Sequence, residues 1–368
     1  MKASFVAHLK SKYPNLTEEA LNTAIADQLL SPYQLHLSSQ QIDLLKNEVN
    51  AYWNLRQWGT QELTRQYEQK GLRKPDNYSA CMSYDFHINQ DGLPELIEIN
   101  TNASFLALGL ELYDFLKIPN VPGHFDTDSI VNMFKEEARL GGKSLNQIAI
   151  VDDKPSEQRL YVEFLLYNEI FNSRGIKSEI LDSSQLTSND KDLIYNRHTD
   201  FYFDKPENKN LRDLFNGGLN FSPNPYEYFL LADKQRLLDW NKQNDLPRPA
   251  SLLPAFDLGQ ANKDEIWAQR KGLFIKPKNS FGSKQAYKAA SISHKVFDEI
   301  FNDNFIAQKL STASEIDVIF QNQVHKLKYD LRCFAYKNEL QLIIARLYQG
   351  QTTNLRTPGG GFAAVKIN

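Results

Sequence analysis

The sequence predicts a mixed α+β protein, helical at its start, with a small parallel βαβ unit between stretches of antiparallel strand. Three observations carry this. Residues 82–100 pattern as a hairpin, residues from 147 alternate strand and helix, and the length of 368 residues exceeds one ordinary core. With 41% hydrophobic and 24% charged residues the composition is that of a folded chain. At a net charge of -3, Lys and Arg are scattered among Asp and Glu, so the basic stripe that nucleic-acid binding needs is missing.

Residues 1–80 read as a helical region. Thr17 caps a segment with Glu18 and Glu19 in its first turn, and Ser38 or Ser39 caps the stretch through Trp53 and Leu63. The opening MKASFVAHLKSKYPNL breaks its apolar run at His8, Lys10 and Lys12, and no later segment has the length of a membrane span. Cys81 and Cys333 lie outside any metal-ligand spacing, which favours a reducing, cytoplasmic setting.

The hairpin MSYDFHINQDGLPELIEIN turns at Asn89–Gly92 and folds Asp85 back beside the following strand. Strand alternation projects Glu98 and Asn100 together, with Leu96 on their side and Ile97 and Ile99 behind. Two carboxylates and an amide oxygen on one face suit a hard divalent cation such as Mg2+. The same pattern also fits a hairpin with acids on a solvent face. ALGLELYDFL then continues as a helix that the Pro119–Gly123 region breaks.

From residue 147 the rhythm is βαβ: QIAIVDD, a helix closed by Gly175, KSEIL and DLIYNR. Ligands of such sheets sit beyond the C-terminal strand ends, where Asp152, Asp153, Asn196 and Arg197 fall. The two aspartates also read as an ordinary capped loop, whereas Arg197 offers a fork for a carboxylate or phosphate.

From about residue 225 a mixed unit follows, with a helix around Lys234, strands at GLFIKPK, QAYKAA, FIAQKL and LRCFAY, and a last strand at LQLIIARLY. In FIKPKNSFGSK, Lys276 ends an apolar strand before a loop in which Gly282, Ser283 and Lys284 suit phosphate. Arg346, Asn354 and Arg356 precede Gly359, Gly360 and Gly361 and form a second anion-binding cluster, or a flexible turn.

Taken in order, these motifs resemble the ATP-grasp superfamily: the KPKNSFGSK loop, a hinge at FIAQKL, the Arg-ended LIIAR and the Asp85, Glu98, Asn100 triad. The triad precedes the phosphate loop, a circularly permuted order like that of eukaryotic-type glutathione synthetases and, more loosely, glutathionylspermidine synthetases. IEINTNASF, YNR and LADKQRLL are similar to that family's metal strand and substrate loop, substrate-arginine strand and first ATP-lysine helix. The loop carries Asn279 or Ser280 where that family has a metal-holding Glu.

The resemblance implies two α+β subdomains clamping ATP, a small parallel α/β substrate domain and an N-terminal helical region. The implied units are 1–80, a metal-strand segment at 81–140, the substrate domain at 141–225 and the nucleotide part at 226–368. It assigns Lys234, Lys276, Ser283, Lys284 and Arg346 to phosphates, Gln308, Lys309 and Leu310 to adenine and Glu315 to ribose. Mg2+ falls to Asp85, Glu98 and Asn100, and substrate to Asn102, Ser104, Arg197, Asn354 and Arg356, with Lys276 and Arg346 catalytic. The implied activity is ATP-dependent carboxylate-amine ligation through an acylphosphate on a small amino acid, peptide or polyamine. Its alternatives are a small-molecule phosphotransferase and a non-catalytic nucleotide-binding module. Small-molecule partners, no nucleic acid, no membrane and the option of a homodimer complete the expectation.

Overall fold

The computed structural model describes residues 1–243, 246–279, 285–320, 322–351, 353–354 and 357–368. Its strands fall into blocks along the chain. β1 (Leu35–Leu37), β2 (Met82–Ile88) and β3 (Pro94–Asn100) come first. β4 (Gln147–Asp152), β5 (Lys177–Asp182), β6 (Leu193–Asn196) and β7 (Phe221–Ser222) form a parallel sheet in the order β5, β4, β6, β7. β8 (Ala255–Asp257), β9 (Leu273–Pro277), β10 (Tyr287–Lys288) and β11 (Phe305–Lys309) form an antiparallel one. β12 (Glu315–Phe320), β13 (Gln323–Tyr336), β14 (Glu339–Tyr348) and β15 (Gly361–Ile367) then rejoin the first block. Among the described residues the resulting sheet has the order β1, β15, β14, β13, β2, β3, with β12 against β13.

The large sheet is therefore stitched from the two ends of the chain, with the other sheets inserted between. Three of its strands, β1, β12 and β15, were not expected from the sequence. β1 is three residues in a stretch expected to be helical, and only its parallel pairing with β15, Leu35 against Val365, makes it a strand. β15 lies past the strand expected to be last, in the tail read as an anion-binding cluster or a flexible turn. Gly361 opens it at a φ of 111°, and a Cβ there would lie 2.7 Å from the Gln28 carbonyl oxygen, so glycine admits the chain at residues 28 and 29.

The capped helices form as the sequence predicts. Thr17 accepts from the Ala20 amide, and Ser38 and Gln41 make a reciprocal capping box at the head of the helix Ser39–Glu62. That helix covers one face of the large sheet, with Val49 and Tyr52 packed among Tyr84, Phe86 and Leu331. On the other face the helix Leu106–Leu116 lies over Leu342 and Ile344, close enough that a Cβ on Gly109 would come within 2.9 Å of Ile344. Beside this apolar patch the second face turns polar at Asp85, Asp330, Arg332 and Arg346, and the site lies there. None of the helices described is long and apolar enough to cross a membrane.

Candidate functional site

The hairpin turn forms because the Asn89 side-chain oxygen accepts from the amides of Asp91 and Leu93, and Gly92 takes a φ of 78°. β2 and β3 then pair with Asp85 opposite Glu98, but Phe86 stands opposite Leu96. Ile97 is thus the extra residue of a β-bulge. It moves Leu96 to the Phe86 side, into the apolar core, and corrects the simple alternation that placed Leu96 beside Glu98.

Continuing across the sheet, Arg332 on β13 pairs with Asp85, and Arg346 on β14 pairs with Asp330 on β13. These side chains alternate in charge. The Arg332 Nε and Nη2 donate to the two Asp85 oxygens at 3.0 and 2.7 Å, and Arg346 Nη2 donates to Asp85 Oδ2 at 2.9 Å. Arg346 Nε donates to Asp330 Oδ1 at 2.5 Å. Burial alone would raise the Asp85 carboxyl, but the two guanidiniums outweigh it and hold it at about 2. Asp85, expected as a metal ligand, is therefore the counter-ion of two arginines.

Glu98 and Asn100 differ. Both are only partly buried, and the Asn100 amide nitrogen donates to Asp85 at 3.2 Å and to Glu98 at 3.4 Å. That leaves the amide oxygen as the atom Asn100 can offer. A magnesium ion fits here on two protein oxygens, from Glu98 and Asn100, with phosphate and water oxygens filling the rest of its shell. Elsewhere among the described residues, His8, Glu111 and Asp114 lie close enough to share an ion, but Lys12 already pairs with both acids.

Two cavities flank this face. One, of about 380 Å³, lies between the large sheet and the β8–β11 sheet, with Glu98, Lys276, Gln308 and Arg346 on its walls. The other, of about 360 Å³, lies beyond the C-terminal ends of β4 and β6, with Asp152, Arg197, Asn102 and Ser104. Asn100, Arg159, Lys234 and Arg332 border both.

In the first cavity Lys276 Nζ donates to the Ile97 carbonyl and to Gln308 Oε1, each at 2.7 Å. Burial, reinforced by Lys234, pushes this ammonium down to about 7, with Glu98 opposing. Lys309, Leu310 and Asn354 also border the cavity. The amides of Lys309 and Leu310, expected to meet adenine, donate instead to the Pro254 and Gly272 carbonyls. Glu315, expected at the ribose, stands exposed at the start of β12 and borders neither cavity, because β12 hangs on β13 at the rim of the sheet. Ser283, Lys284 and Arg356 lie outside the described residues.

In the second cavity Arg197 donates through Nη1 to the Ala103 carbonyl at 3.0 Å and through Nη2 to Ser104 Oγ. Buried Glu163 accepts from the amides of Phe105, at 2.7 Å, and Ala107. Together they pin the loop after β3, in which Phe105 takes a φ of 85°. Asn102 donates to the His198 carbonyl. Burial pushes Asp152 up to about 7 despite Arg197. Asn196 turns away, donating to the Pro223 carbonyl, and Asp153 is exposed.

Arg332 and Asp330 are functional candidates that the motif reading missed. Their signal was the alternation D-x-R in an otherwise apolar strand, YDLRCFAY, which places both on the face of Asp85.

No protein-family model and no curated protein matches the sequence. Among solved structures, a glutathione synthetase-like effector (GSS30) from Globodera pallida in apoform matches at a TM-score of 0.54 and 10% identity, over 92% of this chain and 90% of that one. A putative gamma-glutamylcysteine synthetase from Methylobacillus flagellatus follows at 0.46 and 8%, over 89% of each chain. D-cycloserine synthetase DcsG follows at 0.36 and 12%, over 60% of this chain and 90% of that one. The first likeness shows a shared fold, and the other two are too loose to decide anything. The expected resemblance to glutathione synthetase-like proteins holds at the level of fold.

Proposed function

We propose that this chain is an ATP- and Mg2+-dependent ligase that joins a carboxylate to an amine in a permuted ATP-grasp site. The observation that carries the reading is the pair of adjoining cavities that meet at Asn100, Lys234 and Arg332. One has the charges for a polyphosphate, the other sits where parallel sheets bind small ligands. The glutathione synthetase-like fold supports the same class. In this reading residues 81–140 and 226–368 build the nucleotide half, 141–225 the substrate unit, and residues 1–80 brace the large sheet.

The substrate carboxylate attacks the γ-phosphorus, the bond to ADP breaks, and the amine then displaces phosphate from the acylphosphate to leave an amide. Lys276 and Lys234 neutralise the polyphosphate. Arg346, fixed by Asp330 and Asp85, faces the same cavity and stabilises charge on the group in transfer. Glu98 and Asn100 would hold magnesium, which when bound supplies charge neutralisation across the phosphates. Arg197 and Glu163 keep the loop Asn102–Ser104 in place against the substrate. No protein nucleophile is needed, and neither cysteine would serve, since both are buried and burial pushes Cys81 up to about 12.

The test is a screen of amino acids, short peptides and polyamines for ADP and phosphate release that requires both a carboxylate and an amine. A stable phosphorylated product formed without amine would assign a phosphotransferase instead.

A further inference from the structure

We propose that Arg332 receives the reacting oxyanion where the two cavities meet, first the substrate carboxylate and then the phosphate that leaves it. This rests on the ligase reading for its order of events, but the anion site itself rests on geometry alone.

Three charged residues border both cavities: Arg159, Lys234 and Arg332. Arg159 is exposed on the loop before the helix Tyr161–Ser173, where nothing among the described residues fixes its guanidinium in place. Lys234 is a point charge without a fork. Arg332 is 9% exposed and is gripped from both sides: Asp85 holds Nε and Nη2, and the Ser104 carbonyl accepts from Nη1 at 3.3 Å. A guanidinium has five N–H groups, so these three contacts leave one on each terminal nitrogen. Two parallel donors are the geometry that a carboxylate or phosphate takes.

The other two arginines are placed differently. Arg346 borders only the nucleotide cavity, and Arg197 borders only the other, where three of its N–H groups go to Ala103, Tyr195 and Ser104. Ser104 links the two systems, since its hydroxyl accepts from Arg197 and its carbonyl from Arg332. An anion at Arg332 would thus sit between the loop that frames the substrate and the strand that carries Glu98.

In the first step a carboxylate oxygen forms its bond to phosphorus as the phosphorus–oxygen bond to ADP breaks, and ADP leaves with the electron pair. In the second the amine nitrogen bonds to the acyl carbon, the carbon–oxygen bond breaks, and phosphate departs with that pair as the amine loses a proton. Both events centre on an oxyanion within reach of one guanidinium.

Inorganic phosphate is the probe, titrated calorimetrically into the whole protein with and without MgADP. Wild type is expected to bind phosphate, and Arg332→Met to lose at least tenfold in that affinity while MgADP affinity stays within twofold. Should Arg332→Met fail to fold, Arg332→Lys carries the test and is expected to lose several-fold, because it keeps the charge but not the fork. Unchanged phosphate affinity in the folded variant, or no phosphate binding by wild type, overturns the proposal. Phosphate binding that depends on Arg332 in a protein that ignores MgADP would keep the anion site and sink the ligase reading instead.

Discussion

Lys276 and Gln308 lie diagonally across the paired strands β9 and β11, and the lysine Nζ donates to the glutamine Oε1 at 2.7 Å. The Ile97 carbonyl takes a second donor. A neutral amine has two N–H groups, so both are already satisfied by the protein.

The first expectation follows from that. With Lys276 held near 7 by burial and by Lys234, the free protein carries it partly neutral at pH 8. A bound polyphosphate favours the charged form and raises the pKa, so ATP binding takes up a proton above pH 7 and weakens as pH rises through that window. Calorimetry at pH 8 in buffers of different ionisation enthalpy measures the uptake. Lys276→Met should abolish it and weaken ATP by about tenfold or more. The same uptake in the variant would rule out this lysine as its source.

Glu98→Gln should reduce Mg2+-dependent ADP release by about 100-fold or more, since it removes the carboxylate assigned to the ion. Stability should barely change, because the Glu98 side chain is half-buried and its one hydrogen bond, from Asn100, is long at 3.4 Å. Retained turnover would refute the metal assignment.

Glu315→Ala should leave the KM for ATP within about twofold of wild type, as expected for an exposed residue at the rim of the sheet. A large rise in KM would return the ribose contact to Glu315.

Glu137 gives a stability test. Its carboxyl is buried, accepts from Tyr336 at 2.7 Å and Asn77 at 3.0 Å, and is pushed up to about 7 by burial, its hydrogen bonds notwithstanding. A carboxyl whose folded pKa lies above its unfolded one stabilises fully below the unfolded value and loses that contribution as pH rises through the folded value. The protein should therefore lose stability, on the order of a few kcal/mol from this group, between about pH 4.5 and 7. Glu137→Gln should flatten that part of the Tm profile, and an unchanged slope would clear Glu137 of the effect.

The parts of the fold that obey local rules were legible. Ser38 and Thr17 announce helix starts, Asn89–Gly92 announces a hairpin, and the apolar runs around Ala149 and Ile194 announce a parallel sheet. β1 and β15 were not legible: β1 is a strand only by its pairing with β15, more than 300 residues away in the chain, and β15 is seated between β1 and β14 only once the sheet has assembled. At the site, residue types marked Lys276, Glu98 and Arg346 in advance. The state of Asp85 was hidden, since it depends on Arg332 and Arg346, which reach it only when β13 and β14 have paired. Glu315 failed for the same reason: spacing along a chain does not tell which side of a sheet edge a strand will leave.

The bulge in β3 has one more consequence. Its extra residue, Ile97, breaks the ladder and frees a carbonyl to reach across to another sheet, where it meets Lys276. A long, flexible side chain is thereby immobilised before any ligand arrives. Freezing a lysine costs about 1–2 kcal/mol of rotamer entropy, which is met during folding and not during recognition. A nucleotide would meet a preorganised amine that lacks only the third hydrogen of an ammonium, and that hydrogen is the proton taken up on binding.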